Sequence, residues 1–219
     1  MKDLISTGLL GLDKLLRGGV AAGTITDIFG PAGSGKTQLA MQICANLLDT
    51  GNVIYEDTSG GFRPERMLDL IKSRGKNDKL LDKIIVARTT NTAEQANYVN
   101  KIVEINPSLV VIDDISSLFS FEYSRESNTL EKHLRFMQYM HMLSLAAIQK
   151  KIPVVVTNIV RRSGEEEREN LDKSISMFTH KKIRLVKIGQ KFTAQTFPSF
   201  GTREEISYKI TKDGLVEIS

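Results

Sequence analysis

Eight residues, Gly30-Pro31-Ala32-Gly33-Ser34-Gly35-Lys36-Thr37, constrain this chain more than any other stretch. They spell G-x-x-x-x-G-K-T. Three glycines let a backbone turn tightly and aim successive N–H groups at one anion. In such a loop Lys36 reaches the outer phosphates of a nucleotide, and the Thr37 hydroxyl ligates Mg²⁺. The pattern needs a strand before it and a helix after it. Thr24 to Phe29 alternates and is rich in β-formers. Gln38 to Leu48 has apolar residues at 39, 43 and 47, one face of a helix. Gly30 through Thr37 are therefore the candidate phosphate contacts, and ATP or ADP with Mg²⁺ is the expected cofactor.

The rest of the chain alternates strand and helix. Asn52 to Asp57, Lys83 to Ala87, Ser108 to Asp113 and Pro153 to Asn158 read as strands. The last two are continuous apolar runs of the kind that suits parallel strands buried on both faces. Helices are predicted at about 65–73, from Asn91 or Thr92 to before Pro107, and at about 129–150. The last carries Phe136, Met140, Leu143 and Ala147 as a stripe. Beyond residue 180, four short alternating segments with Asp213-Gly214 as a turn read as antiparallel strands. The charged window Arg161 to Lys173 reads as a loop. The predicted fold is α/β, one domain over residues 1–219, with a largely parallel sheet flanked by helices and a C-terminal antiparallel extension.

Composition narrows the function classes. With 219 residues, 41% of them hydrophobic, the chain can bury a sizeable core. Its net charge of +4 is compatible with nucleic acid without demanding it. The single cysteine, Cys44, excludes an internal disulfide framework and points to a reducing, cytoplasmic setting. No run approaches the roughly 18 apolar residues of a membrane span, so no membrane partner is expected. His133, His141 and His180 lack ligand spacing.

Asp113, at the end of an apolar strand, is the natural second half of the site, holding the Mg²⁺ that Thr37 touches. Asp114 is disfavoured because side chains alternate along a strand. Hydrolysis also needs a group that orients or deprotonates water. The strand end that would supply it reads Tyr55-Glu56-Asp57-Thr58-Ser59.

Several blocks resemble the RecA-type recombinase family in its archaeal and eukaryotic branch. Ser6-Thr7-Gly8…Leu12-Asp13-Lys14-Leu15-Leu16…Gly18-Gly19 is similar to that branch's opening S-T-G-x-x-x-L-D-x-L-L-x-G-G. Gly35-Lys36-Thr37-Gln38 is similar to its G-K-T-Q. Tyr55…Asp57-Thr58…Gly60…Phe62-Arg63-Pro64-Glu65-Arg66 is similar to Y-I-D-T-E-G-x-F-R-P-E-R, and Thr157-Asn158…Val160 to T-N-Q-V. The resemblance spans nearly the whole chain. It implies a RecA-like P-loop ATPase core without a separate N-terminal DNA-binding domain. It assigns Lys36 and Asp113 catalytic roles, adds Gln38 to the nucleotide contacts and implies that Arg66 packs on the adenine.

The departures carry as much information. Ser59 stands at the family's catalytic glutamate, which implies slow or absent turnover unless Glu56 or Asp57 substitutes with changed geometry. Ile159 stands at the glutamine that senses the γ-phosphate. The family's upstream Phe-x-x-Ala tether is not expected before Ser6, so filament self-assembly is not expected either. The resemblance thus implies a nucleotide-holding accessory protein of recombination and repair, nucleoid-associated and acting through a recombinase partner. It maps two DNA loops to about 121–128 and 161–176, with Arg125, Arg161 and Arg162 as candidate phosphate contacts. From Arg161 to Lys173, however, four basic and five acidic residues leave a net of −1. The run Lys181, Lys182, Arg184, Lys187, Lys191 is a clearer basic stretch and equally a guarded strand edge. Direct DNA contact is therefore expected to be weak. Two alternatives stay open: a DNA-dependent ATPase that grips DNA itself, and a KaiC-like regulatory ATPase with no DNA role.

Overall fold

The computed structural model describes residues 4–163, 166–197 and 204–218. The first elements form a small lobe. β1 (Leu4–Ile5) pairs antiparallel with β2 (Val20–Ala21), and α1 (Leu10–Leu15) lies between them. Asp13 accepts the Thr7 backbone N–H and hydroxyl, both at 2.7 Å, which locks the turn into α1. Gly19 has φ +115°, and a Cβ there would stand 2.1 Å from the Ile5 carbonyl oxygen. Only glycine lets the two strands approach so closely.

The main body follows the alternating pattern. In chain order come β3 (Ile25–Gly30), α2 (Lys36–Leu47), β4 (Val53–Asp57), α3 (Pro64–Ser73), β5 (Ile84–Arg88), α4 (Thr92–Ile105) and β6 (Leu109–Asp113). Then follow α5 (Ser117–Glu122), α6 (Thr129–Lys150), β7 (Val154–Ser163), β8 (Glu166–Glu169), α7 (Asp172–Ile175) and β9 (Lys181–Ile188). The chain continues with β10 (Lys191–Phe197), β11 (Glu205–Thr211) and β12 (Gly214–Ile218). The large sheet runs β12-β11-β10-β9-β3-β7-β6-β4-β5, with β8 paired to β7. Its half from β9 to β5 is parallel, and β9 to β12 is antiparallel. This is the predicted architecture.

Strands buried on both faces account for the continuous apolar runs: every residue of β3, β4 and β6 is buried. One face packs Ile28, Tyr55 and Val111 against Leu39, Ile43 and Leu47 of α2. The other packs Val110, Ile112 and Val156 against Phe136, Met140 and Leu143 of α6. Helix ends follow local chemistry. Pro64 opens α3, where its missing N–H is no loss. Asn91 caps α4 by accepting the Glu94 N–H at 2.9 Å, and Glu94 reaches back to the Thr90 N–H at 2.8 Å. Among the described residues no helix is long and apolar enough to cross a membrane.

Two expectations fail in the main chain. The charged window 161–173 is not a loop throughout. β7 runs on through Ser163 and pairs antiparallel with β8, and α7 follows. Backbone pairing in this hairpin does not need apolar side chains, so charge density hid it. The proposed loop 121–128 likewise begins inside α5 and ends in a 3₁₀ turn, Glu126–Asn128.

Candidate functional site

The glycine loop sits at the C-terminal end of β3, where the strand hands over to α2. Gly33 and Gly35 have φ of +72° and +96°, in the left-handed region that glycine tolerates. Gly35 is the N-cap residue of α2, so the loop delivers its N–H groups and the positive end of the helix dipole to one point. The far side of the loop is fixed from the antiparallel extension: the Tyr208 hydroxyl donates to the Ser34 carbonyl at 2.6 Å. Ser34 Oγ is buried and has no hydrogen-bond partner. Lys36 Nζ donates to the Gly30 and Pro31 carbonyls at 2.9 and 3.0 Å, folding back over its own loop. Burial pulls the Lys36 ammonium below the usual lysine range, opposed by the carboxylates of Asp114 and then Asp113.

A cleft of about 320 Å³ opens beside the loop, lined by Lys36, Thr37, Gln38, Gly61, Arg66 and Ile210 among others. Arg66 Nε donates to Gln38 Oε1 at 2.7 Å, and its two terminal nitrogens donate to the Thr211 and Lys212 carbonyls. The guanidinium therefore joins three pieces: α3, the helix after the glycine loop and the β11–β12 hairpin. The predicted contacts Gly33, Gly35, Lys36, Thr37, Gln38 and Arg66 meet in one cleft.

Asp113 lies behind the loop in a hydroxyl cage. Tyr55 OH donates to Asp113 Oδ2 at 2.8 Å, and Thr157 Oγ1 donates to Oδ1. Both oxygens thus carry a protein donor, each keeping a second lone pair. Asp114, the next residue, is buried as well. Its Oδ1 accepts the Ser116 and Ser117 N–H groups at 2.7 and 3.0 Å, while its buried Oδ2 has no partner. Burial pushes the Asp114 carboxyl up to about 6.

The proposed substitutes for the missing glutamate are not at hand. Glu56 is wholly buried on the opposite face of the sheet from Tyr55, where it accepts from Thr89 Oγ1 at 3.1 Å. Burial pushes its carboxyl up to about 8. Asp57 turns its carboxylate onto the following loop, accepting the N–H groups of Ser59, Gly60, Gly61 and Phe62 at 2.6–3.2 Å. It also faces Arg88 at 3.5 Å. Asp57 shapes the loop, and Glu56 is part of the core. The Ser59 hydroxyl itself donates to Asp57 at 3.3 Å.

Two residues of the basic run turn inward, while Lys187 and Lys191 stay exposed. Lys181 Nζ donates to the Leu16 and Gly19 carbonyls and holds the N-terminal lobe. Lys182 Nζ turns inward among Asp27, Glu169, Asp172 and Ser176. Lys187 points at the glycine loop, its Nζ 3.4 Å from where a Gly33 Cβ would stand. Alternation along β9 buries Ile183 and Leu185 on one face and could not reveal these inward partners. Arg125 and Arg161 are exposed at the proposed DNA loops. The side chain of Arg162 lies outside the described residues. Ile159 pairs in register with Gly30 across β7 and β3, so the strand carries the substituted position to the edge of the loop.

A phosphate fits these residues: a positive-φ glycine cradle, an unpartnered Ser34 hydroxyl and a lysine bonded only to carbonyls of its own loop. Mg²⁺ fits as well, with Thr37 in the cleft and a buried carboxylate oxygen of Asp114 lacking a donor.

Comparison with known proteins agrees with this geometry. Residues 3–215 match the Rad51 family. The chain is 39% identical over 162 residues to the DNA repair and recombination protein RadB of Pyrococcus furiosus, covering 72% of this chain and 68% of that one. It is 39% identical over 160 residues to the protein of that name from Pyrococcus abyssi, covering 71% and 66%. To the one from Thermococcus onnurineus it is 36% identical over 169 residues, covering 75% and 73%. The loop, the sheet order and these matches agree, and the chain belongs to the Rad51 family.

Proposed function

We propose that this protein binds ATP·Mg²⁺ and serves homologous recombination and DNA repair as an accessory factor that hydrolyses little nucleotide and acts through a recombinase partner. One observation carries it: a complete phosphate loop is coupled to a strand end with no free carboxylate. Ser59 replaces the family's glutamate, Asp57 is committed to four backbone N–H groups, and Glu56 lies in the core. The names of the RadB relatives support the recombination and repair setting.

Lys36 and the loop N–H groups would hold the phosphates, Thr37 and the Asp113–Asp114 pair would face Mg²⁺, and Arg66 with Ile210 would border the base. The metal would draw the phosphate oxygens together and neutralise their charge. DNA contact, through Arg125 and Arg161, is weak. Lys181 and Lys182 point inward, so a direct grip on DNA would have to use the rest of the run, Arg184, Lys187 and Lys191.

Fluorescent-nucleotide binding together with turnover, each with and without single-stranded DNA, tests this. Lys36→Ala should abolish binding. Wild-type turnover should sit near background, and Ser59→Glu should raise it, since a positioned base contributes on the order of 10²–10⁴ in rate. Wild-type turnover like that of an ordinary ATPase, or tight salt-sensitive DNA binding, would refute the accessory role.

A further inference from the structure

We infer that Tyr208 is a positioning residue of the nucleotide site: its hydroxyl, bonded to the Ser34 carbonyl, aims the Gly35 N–H at the phosphate. This deepens the nucleotide-binding role proposed above and rests on it. One peptide group carries both ends of the effect. Ser34 and Gly35 are joined by a trans peptide, in which C=O and N–H point to opposite sides. The Tyr208 hydroxyl donates to the Ser34 oxygen at 2.6 Å from the side of the antiparallel extension. The Gly35 N–H is thereby turned away from the extension. Among the described residues no backbone carbonyl accepts it. Gly35 lines the cleft and is the N-cap residue of α2, so this N–H joins the positive end of that helix. A bonded carbonyl also polarises its peptide, and the N–H of the same peptide becomes a stronger donor.

Tyr208 is itself held firmly. Its ring is buried beside Phe192, with centroids 5.7 Å apart, across the β10–β11 pairing. Burial pushes the phenol above its usual range, so it remains a donor through neutral pH. Further along the same hairpin, Ile210 Cδ1 and Leu215 Cδ1 stand 3.1 and 3.5 Å from where a Gly35 Cβ would be. They back the same residue whose N–H the hydroxyl aims. Arg66 bonds the Thr211 and Lys212 carbonyls, and Gln42 Oε1 accepts the Leu215 N–H at 2.8 Å. The hairpin is thus tied to α3 and α2, and a supporting group fixed in this way can hold a binding N–H in one direction. Ser34 and Tyr208 are 174 residues apart in sequence, so the fold alone brings the hydroxyl to the loop.

Tyr208→Phe keeps the ring and removes the hydroxyl. Binding of a fluorescent ADP analogue in EDTA reads the grip on phosphate without metal or turnover. Affinity should fall by about 10–100-fold, the worth of one hydrogen bond to a charged group. The Gly35 amide signal, followed by ¹H–¹⁵N NMR, is a readout that a loss of packing alone would not move. In wild type, ADP should shift the Gly35 amide proton downfield. In Tyr208→Phe saturated with ADP that shift should shrink. Phe192→Leu loosens the neighbouring ring but keeps the hydroxyl, and should bind ADP as wild type does. Wild-type affinity in Tyr208→Phe, an equal loss in Phe192→Leu, or an unchanged Gly35 shift overturns the positioning role and leaves nucleotide binding standing. If Tyr208→Phe does not fold, wild type decides: a Gly35 amide that bound ADP leaves unmoved overturns the role. A wild type that binds no ADP overturns the nucleotide site and this role together.

Discussion

Replacing Lys182 by methionine isolates a largely buried charge arrangement. The ammonium lies 3.7 Å from Asp27 Oδ2, bonds Glu169 Oε2, and lies 3.0 Å from Asp172 Oδ1 and 2.8 Å from Ser176 Oγ. It also sits 5.2 Å from the centre of the Phe29 ring. The side chains of Asp27 and Glu169 are 0% and 3% exposed, whereas Asp172 is 59% exposed. The exposed pair contributes about 1 kcal/mol or less. The two buried carboxylates dominate, because removing their cation strands charge where water cannot reach. That loss is about 3–5 kcal/mol. For a chain of this size each kcal/mol moves the melting midpoint by about 2–4 °C, so Lys182→Met should melt roughly 6–20 °C lower.

The pH dependence has a definite sign. Burial, then Glu169, holds the Asp27 carboxyl well above the usual carboxylate range. Acidification therefore neutralises it readily, and the deficit of Lys182→Met should shrink from pH 8 to pH 5. Burial lowers Lys182, but Glu169 and Asp27 outweigh it and hold the ammonium above its usual range. Its own contribution is therefore intact through neutral pH and is lost only as pH rises past the lysine range. Melts followed by far-UV circular dichroism at pH 5 and pH 8 measure all of this. The double variant Lys182→Met/Asp27→Asn should recover part of the loss. A deficit under about 1 kcal/mol, or a double variant no more stable than the single one, would refute the assignment.

Three further changes follow from named contacts. Glu56→Gln removes a carboxyl raised from 4.5 to about 8, which in wild type favours folding at acid pH and loses that contribution as pH rises through 8. The variant should be more stable than wild type at pH 9, by a few kcal/mol in order of magnitude, with little difference at pH 4, as read by urea titration. Arg66→Ala frees Gln38 and two hairpin carbonyls; it should lower stability by about 1–3 kcal/mol and weaken nucleotide binding, as seen by melting and titration of a fluorescent nucleotide. Gly35→Ala forces φ +96° on a residue with a Cβ 3.1 Å from Ile210 Cδ1, at a strain of about 1–3 kcal/mol, and should abolish nucleotide binding in the same titration.

Much of the architecture was legible because its signals are local. The glycine loop needs particular backbone angles, so its residues announce it. β6 and the first half of β7, Val154 to Asn158, are buried on both faces, so they read as apolar runs. α6 was legible from one stripe, Phe136 to Ala147, that meets the sheet. What stayed hidden depends on partners far apart in sequence. Lys182 reads as an edge lysine until Asp27 and Glu169 are brought to it. Glu56 looks like a stand-in base until the sheet places it opposite Tyr55, in the core. The β7–β8 hairpin was masked because its pairing runs through the backbone while its side chains stay charged.

One amide in α2 has a reach out of proportion to its size. Gln42 Nε2 donates to the Thr7 carbonyl at 3.0 Å and the Leu215 carbonyl at 3.3 Å, while its Oε1 accepts the Leu215 N–H at 2.8 Å. The segment before α1 and the strand β12 are thus fastened to the same turn of the helix that begins at the phosphate loop. Neither end can be released at this point without exposing polar atoms that the other end still needs. A shift of that helix along its axis would be felt at both ends of the chain at once. Removing the amide, as in Gln42→Leu, should therefore lower amide-exchange protection at Leu215, whose N–H it accepts.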